Sequence, residues 1–323
     1  MAVLLGGRER WHRDRAGTGV FPPGRRGSRP EPGRKGSYGR PMTQTQKILV
    51  TGATGTVGRQ VVAELLARGH AVRALTRDPA TADLPDRIEV VRGDLTEPDS
   101  LVPALEGVTG LHLITFAGAL FTPLETGPRI LEAARAAGVR RITVLNGGGP
   151  TPLEDTVRAE DGVDWTVLMP VEFMANALEW ADGIVTADEV REPFVSRLSA
   201  MVHEGDIGAV AAVALTEEGH GRQEYVITGP EALTVRDKVD AIAGARGRPV
   251  SLVELSEEEA VARWRAAGQP EEVIGFLLDV YGNTPEAGRT VLDTVEKVTG
   301  RPARTFTQWA AEHAAAFTAT GPA

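Results

Sequence analysis

The sequence predicts an α/β fold in which a parallel sheet is wound on both faces by helices and followed by a smaller, mainly helical C-terminal lobe. Three observations lead there. Short apolar runs alternate with helix-period segments from Lys47 onward. Those runs carry few polar residues, the pattern of strands covered on both faces. The first of them passes into its helix through three glycines, Gly52, Gly55 and Gly58. With 323 residues, 42% of them hydrophobic, the chain is long enough to bury a sizeable core.

The stretch Lys47 to Gly58, KILVTGATGTVG, organises the rest. A strand that bends into a helix without side chains at the bend turns backbone N–H groups and the positive helix end toward a pyrophosphate. One glycine serves the tight turn, one lets the chain approach the phosphates, and one lets helix and strand pack closely. Thr54, Thr56 and Val57 lie between them. The spacing is G-x-x-G-x-x-G rather than G-x-G-x-x-G, so the prediction of a dinucleotide site rests on the order strand, glycines, helix.

The elements follow in order. Ile48 to Thr51 reads as a strand, and Val57 to Ala67 as a helix with Val57, Val61, Leu65 and Leu66 on its inner side, closed by Gly69. Further strands are predicted at Ala71 to Thr76, Ile88 to Val91, Leu111 to Thr115 and Arg141 to Leu145, with a helix from Pro123 to Ala137. Asp164 to Leu168 and Glu224 to Thr228 are expected to return to the sheet. From Val171 onward the pattern is otherwise helical. Ser256 with Glu259 forms a capping box for a helix to Ala267, and Pro270 to Tyr281, Thr290 to Val298 and Thr305 to Phe317 follow. Phe173, Met174, Asn176, Trp180 and Ile184 form an apolar stripe whose default role is core packing, and Leu277, Leu278 and Tyr281 are candidates to roof an acceptor site or bind a partner. The predicted division is a basic tail over 1–46, a nucleotide-binding domain over 47–170 and a lobe over 171–323, with 204–229 returning to the sheet. The tail is rich in Arg, Gly and Pro without apolar periodicity, so disorder is expected; Met42 is an alternative start, and the composition also suits a transit peptide or a basic arm.

Composition excludes several classes. A net charge of -9 argues against nucleic acid or an anionic membrane as the main partner of the folded part. With no cysteine there is no disulfide, thiolate zinc site or cysteine nucleophile, which points to an intracellular, cytoplasmic setting. No apolar run approaches the roughly 18 residues of a membrane span. The histidines lack spacing such as H-E-x-x-H, so no metal is expected.

The end of the second strand bears on the cofactor. A carboxylate there holds a ribose 2′-hydroxyl, whereas an arginine accommodates a 2′-phosphate. The chain reads RALTRDP, placing Thr76 and Arg77 at that end. Arg77 implies NADPH; a solvated Arg77, with Asp78 contesting the ribose, is the alternative. After the third strand, Asp94 is placed to accept from the adenine amine and Leu95 to pack on the ring, unless Asp94 serves a turn or Thr96 caps the next helix. Thr115, Phe116 and Ala117 are expected along the ribose and nicotinamide, since ligands bind outside the carboxyl ends of such strands.

Taken together, TGATGTVG, RALTRDP, RGDL, GVDWTVLMPVEFMAN, EGDIGAVAAVAL and YVITGPEALT resemble the NmrA-like group of atypical short-chain dehydrogenases, over nearly all of Lys47 to Ala315. The resemblance implies a Rossmann domain that binds NAD(P) and a smaller C-terminal substrate lobe. The group includes NADPH-dependent quinone reductases and redox-sensing regulators that bind the cofactor without turning it over.

Departures from the wider pattern limit the chemistry. Short-chain dehydrogenases of the usual type place a serine after the fifth strand and Tyr-x-x-x-Lys on the next helix, the pair that passes a proton to a carbonyl. Here Asn146 and Gly147 follow that strand, the segment Leu153 to Glu160 has neither tyrosine nor lysine, and no tyrosine is followed by lysine four positions on. Glu154 and Glu160 read as solvated helix charges. A quinone-like acceptor tolerates this loss, because the anion formed on hydride transfer is stabilised and solvent can protonate it. Many members carry Leu-Arg-Pro where this chain has Leu168-Met169-Pro170, which puts an anion contact from that position in doubt. Asn146 and Glu172 are the catalytic candidates, Asn146 offering an amide to the acceptor or serving only as a turn residue, with Gly147 and Pro170 expected beside the cofactor. The expected role is hydride transfer from NADPH to a quinone-like acceptor. The alternative is a cofactor-binding sensor that acts through a regulatory protein partner; a homodimer is also compatible.

Overall fold

The computed structural model describes residues 45–117, 122–147 and 151–318. The expectations for the basic tail and for Met42 lie outside the described residues. Seven strands form one parallel sheet: β1 Lys47–Thr51, β2 Ala71–Thr76, β3 Glu89–Arg92, β4 Gly110–Ile114, β5 Arg141–Leu145, β6 Asp164–Pro170 and β7 Gln223–Ile227. Their order across the sheet is β7-β6-β5-β4-β1-β2-β3. This is the doubly wound Rossmann arrangement, and the order reverses between β1 and β4, where a crevice opens above the strand ends.

Alternation along β1 explains why the sheet needs cover on both sides. Leu49 faces one core with Leu111, Leu113, Ile142 and Val144, closed by Ile130, Leu131 and Ala134 of the Gly127–Ala136 helix. Ile48 and Val50 face the other, closed by Val57, Val61 and Leu65 of the Thr56–Ala67 helix and by Ile207, Val210, Ala211 and Leu215 of the Glu204–Thr216 helix. All of Glu204–Thr216 is buried, which suits a helix that is apolar on every side. It lies so close to its neighbour that a Cβ on Gly208 would come within 2.7 Å of the Gln60 backbone.

The sheet strands fall within two residues of their predicted ends. The strand expected at Ile88 to Val91 is shifted by one, to Glu89–Arg92. Within 204–229 only Gln223–Ile227 joins the sheet. The helix expected from Pro123 begins at Gly127, because Thr122–Pro123 pairs antiparallel with Phe116–Ala117. The segment from Thr290 divides differently, into helices Glu286–Arg289 and Thr294–Thr299. The last helix is Phe306–Glu312, followed by a 3-10 turn Ala314–Phe317. A short parallel pair, Glu189–Glu192 with Ser251–Glu254, was not foreseen: EVRE carries three charges in four residues. The predicted capping box is present, with Glu259 N donating to Ser256 Oγ at 3.2 Å and Ser256 N to Glu259 Oε2 at 2.8 Å.

Of the apolar stripe, Phe173, Met174 and Ile184 pack in the core, whereas Asn176 and Trp180 line the cavity above the strand ends. Glu154 corrects the sequence reading. It is fully buried rather than solvated, while Glu160 is partly exposed 4.0 Å from Arg135.

Candidate cofactor and acceptor site

Gly52 follows β1 with φ +63°, a conformation that a side chain disfavours, and Gly55 N donates to Gly52 O at 2.9 Å to close the bend. A Cβ on Gly58 would stand 2.0 Å from Gly52 O, so the close packing of helix and strand requires a glycine there. Gly55 is the residue before the Thr56–Ala67 helix, no side chain caps that helix, and its first turn holds no acidic residue. Its orphan N–H groups and positive end therefore face the cavity without a competing carboxylate. This is the observation that fits the residues to a nucleotide pyrophosphate.

At the strand-order reversal Thr51 does what the backbone ladder does elsewhere. Its hydroxyl donates to His112 O at 2.9 Å and accepts from Ile114 N at 3.1 Å, tying the diverging ends of β1 and β4. A threonine ending an apolar run is the only trace of this in the sequence.

One cavity of about 1340 Å³ lies above these ends. Its lining includes every residue predicted at the cofactor site except Pro170: Gly52, Thr54, Gly55, Thr56, Val57 and Gly58 from the bend, then Thr76, Arg77, Asp94, Leu95, Thr115, Phe116, Ala117, Asn146 and Gly147. Pro170 is buried at the end of β6, in register with Ile227. Arg77 is exposed at the end of β2. Asp78, its rival in the sequence, is turned away, its Oδ1 accepting from Ala80 N at 3.1 Å as the cap of a 3-10 turn. Asp94 lines the cavity and also serves the turn, since Oδ1 accepts from Thr96 N and Thr96 Oγ1, both at 2.8 Å. Those bonds, led by the backbone N–H and aided by the charge of Arg77, hold its carboxyl below the usual range. Gly147 packs against the ring of Phe116, and a Cβ there would lie 1.9 Å from Cε2 of the ring.

The two catalytic candidates sit in different surroundings. Asn146 Nδ2 donates to Glu154 Oε1 at 2.5 Å, and Thr151 N donates to Glu154 Oε2 at 2.7 Å. Burial raises the Glu154 carboxyl above its ordinary pKa, against these two bonds. Glu172 lines the cavity, with Lys238 Nζ 3.7 Å from its Oε2 and Arg197 Nη2 3.7 Å from its Oε1. Burial opposes its charge, but the two cations outweigh burial and hold the carboxyl below the ordinary range. Glu172 is therefore an ionised member of a buried charge cluster, which does not suit a proton donor.

The far end of the cavity comes from the segment that holds two of the three predicted roof candidates, Leu277 and Tyr281, and from residues the sequence did not single out. Trp264, Phe276, Leu277 and Tyr281 line it from helices Glu257–Ala266 and Glu271–Gly282, with Glu192, Arg197 and Arg263 beside them. Leu278, the third roof candidate, packs beside Leu277 in the small cluster around Trp264. Among the described residues no group of three His, Asp or Glu side chains is placed to hold a metal ion. No described helix is long and apolar enough to cross a membrane.

Fold and site together define an NAD(P)H-binding protein of the Rossmann type. Residues 52–156 match the model of the NAD(P)H-binding family. Over 287 residues the chain is 37% identical to the NAD(P)H azoreductase of Xenophilus azovorans, covering 84% of this chain and 99% of that one. It is 27% identical to Quinone oxidoreductase 2 of Escherichia coli (strain K12), over 81% of this chain and 96% of the relative. An NADPH-dependent quinone oxidoreductase from Escherichia coli, solved in complex with NADPH, superimposes with a TM-score of 0.69 at 25% identity, covering 82% of this chain and 99% of that one. The chain belongs to this NAD(P)H-binding family, in which its relatives include quinone and azo reductases.

Proposed function

We propose that the protein is an NADPH-dependent reductase of a quinone-like acceptor. The observation that carries this reading is the cavity itself. Its volume of about 1340 Å³ exceeds the roughly 300–1,000 Å³ of single-ligand pockets, and one wall is the glycine bend while the other is an aromatic helical roof. That is room for a dinucleotide and a second, planar molecule. On this reading residues 47–170 hold the cofactor and 171–323 contribute the acceptor side, with Gln223–Ile227 completing the sheet.

Gly52 to Gly58 would hold the pyrophosphate, Arg77 the 2′-phosphate, Asp94 and Leu95 the adenine, and Thr115 to Ala117 with Asn146 and Gly147 the nicotinamide end. When bound, the cofactor supplies a hydride. The chain's own part is to exclude water with Phe116, Trp264 and Tyr281 and to fix Asn146 against the reacting end. No residue of the Pro152–Arg158 helix replaces the Tyr-x-x-x-Lys pair. The expected acceptor therefore forms a stabilised anion that takes its proton from solvent.

Tryptophan-fluorescence titration with NADPH and NADH, followed by NADPH absorbance with a panel of quinones, tests the reading. Acceptor-dependent oxidation supports it. NADPH binding without oxidation by any quinone would favour a sensor, for which the missing tyrosine is the supporting observation.

A further inference from the structure

At the acceptor end of the cavity, Arg197 is 9% exposed and lies with its guanidinium carbon 3.9 Å from the centre of the Tyr281 ring. Two carboxylates flank it, Glu172 Oε1 at 3.7 Å from Nη2 and Glu192 Oε2 at 3.8 Å from Nη1. These separations are within ion-pair range but too long for hydrogen bonds. Nη1 is buried and has no hydrogen-bond partner. The carboxylates are themselves held elsewhere. Glu172 is shared with Lys238, whose Nζ donates to Ser199 Oγ at 2.6 Å, and Glu192 Oε1 accepts from Arg263 Nη2 at 3.1 Å and Trp180 Nε1 at 3.2 Å. Arg197 thus shares its two carboxylates with Lys238 and Arg263 and is short of a hydrogen bond at Nη1, which is costly for a buried guanidinium.

What completes such a group is an oxygen that accepts without bringing charge. A carbonyl oxygen does this. An anion would meet Glu172 and Glu192 within the same few ångströms, and like charges in a partly dry site repel. The ring walls of Trp264, Phe276 and Tyr281 suit a planar aromatic body on the same molecule.

We infer that Arg197 is the specificity-determining anchor for one carbonyl oxygen of a neutral, planar aromatic acceptor, and that Glu172 and Glu192 exclude acceptors carrying an acidic group at that position. This deepens the quinone reading and rests on it for the identity of the second ligand.

The test is binding by the full-length protein saturated with NADP+, using 1,4-naphthoquinone and 1,4-naphthoquinone-2-sulfonate as probes and tryptophan quenching as the readout. The neutral quinone is expected to bind at least about tenfold more tightly. Arg197→Met should weaken the neutral quinone until the two differ by less than about threefold. Should that variant fail to fold, Glu192→Gln, nearly isosteric, is expected to tighten the sulfonate at least about fivefold. Equal or tighter sulfonate binding by the natural protein overturns the inference, as does discrimination that survives in folded Arg197→Met or sulfonate affinity unchanged in Glu192→Gln. Discrimination without NADPH consumption would keep the anchor and sink the reductase reading; NADPH consumption without discrimination would do the reverse.

Discussion

Glu154 places a carboxylate in an apolar interior and gives it two donors, one from the backbone of Thr151 and one from the side chain of Asn146. Ionised, it accepts both and so dictates which end of the Asn146 amide faces the cavity; protonated, it can accept only one without rearrangement. Because burial raises its pKa, the ionised form is lost on acidification earlier than for an ordinary glutamate. Glu154→Gln is therefore expected to lower kcat by about tenfold to a hundredfold through misplacement of Asn146. The KM for NADPH should stay within about threefold, and the acid limb of the kcat profile should flatten. An unchanged kcat would leave Glu154 a purely structural cap. Arg77 makes the complementary case, an exposed charge whose role is affinity. Arg77→Ala is expected to weaken NADPH by about ten- to a hundredfold, the worth of a charge-assisted phosphate contact, and NADH by little. Equal losses in paired titrations would contradict the 2′-phosphate assignment.

The helical pair Glu257–Ala266 and Glu271–Gly282 roofs the acceptor end on a small core of its own, Ala260, Trp264 and Ile274 with Val261, Leu277, Leu278 and Tyr281 around them. Its ties to the rest include the Arg263–Glu192 ion pair at 3.1 Å and the ring of Tyr281 over Arg197. An element with so few apolar contacts opens at lower free energy than the sheet, which is what a site that must admit and release ligand requires. Trp264→Ala removes the largest side chain of that core, at a local cost of about 3 kcal/mol. Hydrogen exchange is expected to accelerate across 257–282 while β1 and β4 keep their protection. Uniform loss of protection across both regions would show that the roof and the sheet open as one unit.

At the scale of the molecule, the sheet carries one histidine that resists protonation. His112 is fully buried in β4, its Nδ1 2.8 Å from Thr143 Oγ1 on β5, and burial lowers its pKa to about 4. The unfolded chain takes up a proton near pH 6.5, whereas the folded one does so only near 4. Between these values the unfolded state binds more protons, so the contribution is full above pH 6.5 and is lost as pH falls toward 4. It amounts to about 3 kcal/mol. His112→Asn should shrink the difference in denaturant-measured stability between pH 7 and pH 4.5 by most of that amount. An unaltered pH slope would place the acid sensitivity elsewhere, for example in the buried carboxylates of the Glu172 cluster.

The local part of this protein was written in its order of residues. Ile48 to Val50, the glycines at 52, 55 and 58, and the capping box at Ser256 are short-range patterns whose geometry depends on neighbours in the chain. Hence the sheet strands could be read directly, and the predicted cofactor-side positions gather at one cavity except Pro170, which ends β6 in register with Ile227. Tertiary structure alone decided the rest. Glu154 looked solvated because helix position cannot reveal that Asn146 and Thr151 converge on it. Arg197, Glu192 and Tyr281 lie on three separate segments, and no periodicity links them. Bringing two carboxylates and a phenol ring each within 4 Å of one guanidinium is a property of how the lobe packs against the strand ends.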